Sequence, residues 1–140
     1  MNLILMCALT VFGITLSNAQ STNEKVIEET IRKFALAADT NNADELASYL
    51  DINYRVVMNR LFGSDKIAIL PKDIYLEKVR NKEFGGDSRK VEIESITINN
   101  TCASAKVTFT GSKMTFVSIL NLLQDADGNW KLISDMPAVK

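Results

Sequence analysis

Lys113-Met114-Thr115-Phe116-Val117-Ser118-Ile119-Leu120-Asn121-Leu122-Leu123 is the stretch that decides the fold of this chain. A strand with one wet face alternates apolar and polar side chains. Here Met114, Phe116, Val117, Ile119, Leu120, Leu122 and Leu123 leave few polar positions, which predicts a strand covered on both faces. Working outward, Gly111-Ser112 is a tight hairpin signal behind a strand from Cys102 to Thr110. Asn99-Asn100 is a second such signal, behind a strand from Val91 to Asn99. On the other side, Asp127-Gly128 turns the chain into a last strand, Trp130 to Met136, which Pro137 is expected to stop.

The half of the chain before these strands reads as helical. Ser21-Thr22-Asn23-Glu24 has the form of a capping box, predicting a helix start there. Ile27, Ile31, Phe34, Ala35 and Ala38 follow at helical spacing. Asn41-Asn42 breaks the pattern, and Ala43 to Leu50 forms a second, short helix with Leu46, Tyr49 and Leu50 inward. Asn53 to Leu61 is a strand candidate, Gly63-Ser64-Asp65 a turn, and Ile67-Ala68-Ile69 a short extended piece. Pro71 suits the first turn of a third helix bearing Ile74, Tyr75 and Val79, and Gly85-Gly86 ends it in a loop. Helix, helix, strand, helix and then a run of antiparallel strands predicts an α+β fold. Its curved sheet wraps like a cone around about three N-terminal helices and leaves a pocket between them. One face of the apolar strand meets the helices. A second copy of the chain is the simplest cover for the other, so a homodimer through the sheet face is expected.

The chain has 140 residues, 46% of them hydrophobic and 24% charged, with a formal net charge of -1. That is single-domain size and globular composition, without the basic excess that nucleic acid or an anionic membrane would attract. Residues 3–16 form an apolar run too short to span a bilayer, and Ser17 and Ala19 are small residues at the -3 and -1 positions before Gln20. Residues 1–19 are therefore expected to be a cleaved export signal and residues 20–140 a secreted or periplasmic domain with no stable membrane anchor. The signal lacks Lys or Arg near its start, and Met6 rather than a small residue precedes Cys7, which argues against lipid attachment there. Cleavage would leave Cys102 as the single thiol and exclude an internal disulfide. The chain has no His, which removes the commonest general base and zinc ligand; no metal or cofactor is expected.

The sequence resembles the nuclear transport factor 2-like superfamily, and within it the lumazine-binding-like, SnoaL-like group. The resemblance is carried by Ile96-Thr97-Ile98, by Ala103-Ser104-Ala105-Lys106-Val107, by the apolar strand ending Leu122-Leu123-Gln124, and by Asp127-Gly128-Asn129-Trp130-Lys131-Leu132-Ile133. Ile31 to Leu50 and Pro71 to Val79 match more loosely as the helices. The resemblance implies the cone fold. The group's polar pocket positions are altered here. A His common after the second helix falls in Tyr49-Leu50-Asp51, an Asp-Tyr pair falls at Ser118-Ile119, and Lys positions fall near Gln124 and Asp135. No catalytic set is carried over.

Enzymes of this superfamily place an acid or base in an apolar cone, where burial raises a carboxyl group's pKa toward neutrality. Asp51, after the second helix and near the expected mouth, and Asp135 are the candidate carboxylates. Tyr49, Tyr54 and Tyr75 are candidate pocket residues, each of which core packing would equally explain. Arg55 and Arg60 share no face of an ideal strand, which argues against a two-Arg clamp. Strict alternation puts Asp135 on the face of Lys131 and Ile133, opposite Trp130 and Leu132. The favoured expectation is a dimeric domain that binds a small apolar or aromatic ligand without demonstrable catalysis. The alternatives are a proton-transfer enzyme (isomerase, cyclase or dehydratase) and a pure interaction module whose cone is filled by its own side chains.

Overall fold

In the computed structural model the described residues are 12–140, with side chains from residue 19 onward. The first eleven residues of the expected signal lie outside them. Helix α1 (Phe12–Asp39) is followed by α2 (Ala43–Ser48), β1 (Leu50–Asn59), a 3-10 turn (Leu61–Gly63), β2 (Ile67–Pro71) and α3 (Lys72–Arg80). Four strands complete the chain: β3 (Lys90–Asn99), β4 (Cys102–Thr110), β5 (Thr115–Gln124) and β6 (Trp130–Val139). They form one curved six-stranded sheet in the order β2-β1-β6-β5-β4-β3, an α+β fold with the helices on one face. Every neighbouring pair is antiparallel except β1 and β6. No described helix is long and apolar enough to cross a membrane.

The core lies between α1 and the concave face. Ile27, Ile31 and Phe34 of α1 are buried against Val107, Leu120, Leu122 and Leu132 of the sheet. Small side chains let the layers approach: Ala35, Ala37 and Ala38 on the helix, Ala103 and Ala105 on β4. Each large side chain fully buried here contributes roughly 1.5–3 kcal/mol. Asn41, at φ 53°, ends the α1 region, and its Nδ2 donates to the carbonyls of Val79 and Phe84 at 2.9 and 2.7 Å. That single side chain ties the end of α1 to the loop after α3. Gly85 in the same loop has φ +75° and presses on α1 so closely that a Cβ there would stand 2.0 Å from the Ala38 carbonyl oxygen.

Two expectations about element boundaries and one about facing are corrected. The Ser21-x-x-Glu24 box does not start a helix, because α1 already runs from Phe12. Between Ser17 and Glu24 there is no Gly or Pro, so the helix passes through the box. Pro137 does not end the last strand, which continues to Val139. Beyond Asp135, β6 pairs only with β5, so the missing proline N–H interrupts no ladder on its open side. The third correction concerns facing. Asn121 pairs with Ser134 while Leu122 pairs with Leu132, so Ile133 is an extra residue in a β-bulge. The bulge shifts alternation by one. Asp135 pairs with Leu120 and Val56, both inward, and thus shares the concave face with Trp130 and Leu132.

Candidate functional site

The concave face is filled at one end and open at the other. Leu50, Leu122, Trp130 and Leu132 close the filled end. Toward the start of β5 the inward positions are Phe116 and Ser118, opposite Val139 and Pro137 of β6. Phe116, Ser118 and Pro137, together with Val56 and Met58 of β1 and Tyr75 of α3, line a cavity of about 470 Å³, within the range of small-molecule sites. The Gly85-Gly86 loop and the β4–β5 turn complete its wall.

Asp135 sits where the filled half meets the cavity. The residue is only partly buried because it borders that space, yet its Oδ1 has no exposed surface and no hydrogen-bond partner. Burial pushes its carboxyl up to about 6, against the opposing pull of the Ser118 hydroxyl and, more weakly, the Arg89 guanidinium. Tyr75 lines the cavity, and its ring lies 5.4 Å from that of Tyr54 and 6.2 Å from that of Phe84. Burial, with the Asp135 carboxylate reinforcing it, raises both phenols, so both stay protonated. Tyr54 is fully buried beneath Tyr75, and its hydroxyl has no partner.

Arg89, just before β3, is a cation of this wall held in place by hydrogen bonds. Its main-chain N–H donates to Asp39 Oδ2 at 3.1 Å, its Nε donates to Asp39 Oδ1, and its Nη2 donates to the Ala35 carbonyl at 3.2 Å. Its Cζ stands 5.0 Å from the centre of the Phe109 ring. At the rim, Asp87 Oδ2 accepts from the Ser112 N–H and hydroxyl at 2.8 and 3.2 Å, closing the β4–β5 turn. These hydrogen bonds lower the Asp87 carboxyl.

The structure thus brings Asp135, Tyr54 and Tyr75 together and leaves the other candidates elsewhere. Asp51 is not in the cavity wall; its Oδ1 accepts from the Asn53 N–H at 2.8 Å in a local turn. Tyr49 caps α2, and its hydroxyl donates to Glu45 Oε1 at 3.1 Å. Arg55 faces the convex side opposite Ser134, and Arg60 lies in the turn after β1. Arg89 and Asp39 were not singled out in the sequence, and Ser118 stood out there only as an altered polar pocket position. Arg89 reads there as one more charge in Ser88-Arg89-Lys90, and no local spacing marks its pairing with Asp39, fifty positions away. Among the described residues no three Cys, Asp or Glu side chains converge as a metal site.

The family model described as "Putative lumazine-binding" matches residues 22–136. The chain belongs to this family. The family's match takes in Ala38 of α1, Tyr75 of α3 and the six strands as far as Met136. No curated protein sequence matches significantly. Among solved structures, an NTF-2-like protein of unknown function from Silicibacter pomeroyi is similar at TM-score 0.75 and 13% identity, covering 86% of this chain and 98% of that one. A protein described as a putative scytalone dehydratase from Novosphingobium aromaticivorans gives 0.67 and 17%, covering 89% and 88%. A ketosteroid isomerase-like protein from Erwinia carotovora atroseptica gives 0.64 and 16%, covering 82% and 94%. At such identities these likenesses carry the nuclear transport factor 2-like fold of this lumazine-binding family member, and its chemistry has to be argued from its own cavity.

Proposed function

We propose that this domain binds a small apolar or aromatic carbonyl compound in the cavity and moves a proton on it, as an isomerase, cyclase or dehydratase does. The observation that carries the reading is Asp135 Oδ1, sealed from water and without a partner at the edge of an open cavity. The Ser118 hydroxyl serves the carboxylate only in part, and a buried carboxylate oxygen left without a donor beside a cavity marks a functional group rather than a packing one. In the proposed step the Asp135 carboxylate, through the oxygen that borders the cavity, accepts a proton from carbon beside a carbonyl, and the electron pair left behind moves onto the carbonyl oxygen as an enolate. Tyr75, held protonated, supplies a hydrogen bond to that oxygen. Return of the proton to a different carbon completes an isomerisation; loss of a neighbouring hydroxyl with that proton, as water, completes a dehydration. The open cavity argues against a self-filled interaction module.

The test is deuterium exchange beside the carbonyl in a panel of small cyclic and aromatic ketones, followed by NMR in D2O. Wild-type protein should catalyse exchange in ketones that bind, and Asp135→Asn should slow it about a hundredfold or more. Binding without exchange across the panel would leave a ligand-binding protein and no enzyme.

The convex face supports a second part of the proposal, a homodimer. Ile67 and Ile69 of β2, Val57 of β1, Met136 and Ala138 of β6, and Val117 and Ile119 of β5 lie on that face of four adjacent strands. Ile67, Ile69 and Met136 are 67%, 60% and 42% exposed, an apolar band that a second copy would cover. Export through the first nineteen residues remains part of the same proposal and places the domain in the periplasm or outside the cell. Comparing the N-terminus of the protein recovered from the exported fraction with Gln20 tests it.

A further inference from the structure

We propose that Arg89 is a recognition group for an anionic oxygen, and that the cavity's ligand is a small aromatic or alicyclic molecule bearing a carboxylate. The inference rests on the proton-transfer reading for the location of the ligand, and it adds the ligand's charge. Three observations carry it.

The first is hydrogen-bond accounting at the guanidinium. Arginine has five N–H donors in a planar fork. Nε goes to Asp39 and one Nη2 hydrogen to the Ala35 carbonyl, while both Nη1 hydrogens and the second on Nη2 have no acceptor among the described residues. The side chain is only 20% exposed and lines the cavity, so these donors remain available to a ligand there. The second is rigidity. Asp39 grips both the main chain and the side chain of Arg89, and the Phe109 ring underlies the guanidinium. A fork held in one plane loses little entropy when it binds a carboxylate through two parallel hydrogen bonds. The third is contrast. The remaining wall is mostly Phe, Met, Val, Tyr and glycine, and its charged groups other than Asp135, namely Glu83, Asp87 and Lys113, stand in loops at the mouth. Asp39 cancels the formal charge of Arg89 from behind, but its two oxygens are already engaged and leave the outer donors free.

The geometry also couples this group to Asp135. The groups facing Asp135 are Tyr54 on β1, Tyr75 on α3, Ser118 on β5 and Arg89, with Asp39 of α1 behind it. Of these only Arg89 is positive. A ligand carboxylate seated on Arg89 would neutralise that influence and add a negative charge to the cavity, so Asp135 should take up a proton as the anion binds.

The probes are naphthoate and its neutral isostere naphthamide, titrated calorimetrically into the purified protein at about pH 6 and again about one unit higher. Naphthoate should bind about tenfold or more tightly than naphthamide, which is about 1.4 kcal/mol. Its binding enthalpy should vary with buffer ionisation enthalpy in the sense of proton uptake. Arg89→Gln should abolish the preference. Because that variant strands a buried Asp39 at a cost to the fold, the paired change Asp39→Asn with Arg89→Gln keeps the site neutral, and Arg89→Lys should recover part of the preference. Equal affinities in the wild type, failure of both probes to bind, or a preference that survives in the folded double variant would overturn the assignment. A preference that depends on Arg89 but brings no proton uptake supports Arg89 and instead removes Asp135 as the proton carrier.

Discussion

Asp135 binds its proton more tightly in the fold than in the unfolded chain, and that difference is measurable in two ways. An unfolded Asp titrates near 3.9, whereas here the carboxyl is pushed to about 6 by burial. Between those values the native state holds more protons, so stability falls as pH rises through the window and the cost is complete above it. About two pKa units correspond to about 3 kcal/mol, an upper limit because the bordering cavity admits water. Asp135→Asn should therefore gain about 1–2 kcal/mol in urea unfolding at about pH 7.5 and nothing below about pH 4, while losing exchange activity. The wild-type exchange rate at low ketone concentration should rise with pH and reach half its maximum near pH 6, since the base works only when deprotonated. Tyr54 supplies a third residue-scale test. Its hydroxyl is buried without a partner, so Tyr54→Phe should leave thermal stability unchanged or raise it by up to about 1 kcal/mol. A loss of more than that would mean that the hydroxyl has a partner, such as a bound water.

At the scale of elements, the bulge in β6 and the turn after β1 do the most to shape the site. Alternation along Trp130-Lys131-Leu132-Ile133-Ser134-Asp135 places Asp135 outward, and one unpaired residue, Ile133, reverses that. A bulge has no sequence signature of its own in this stretch; it is set by how β6 registers on β5 and β1 at once. Hairpins Asn99-Asn100 and Gly111-Ser112, by contrast, are legible because their turn chemistry is local, and both join strands as expected. The turn Leu61–Gly63 carries Arg60 at φ 56° and Phe62 at φ 55°, a backbone region that a bulky residue enters only with strain. Phe62 is 71% exposed, lies edge-on to Phe116 at 6.5 Å and borders the cavity mouth. Phe62→Gly should relieve that strain while uncovering the mouth. Melting temperature should hold or rise as ligand affinity falls, and the two measured together separate a mouth-covering role from plain packing.

At the scale of the whole molecule, β5 joins the two faces. Its inward residues Ser118, Leu120 and Leu122 are buried, while Val117, Ile119 and Leu123 on the other face remain partly open to solvent. If a second copy covers that face, Ile119→Lys should convert a dimer to a monomer in sedimentation with the cavity intact. Sedimentation of the wild type as a monomer at high micromolar concentration would refute the interface. The amino-acid sequence by itself determined the α+β order of elements, the two hairpins after β3 and β4, the helix stripe of Ile27, Ile31 and Phe34, and the family, because periodicity and turn chemistry act over a few residues. Only the tertiary structure decided which face Asp135 occupies, that the cone is left open beside it, and that Arg89 is locked to Asp39 across fifty positions of chain. Those depend on register and on contacts between distant segments, which no local pattern encodes.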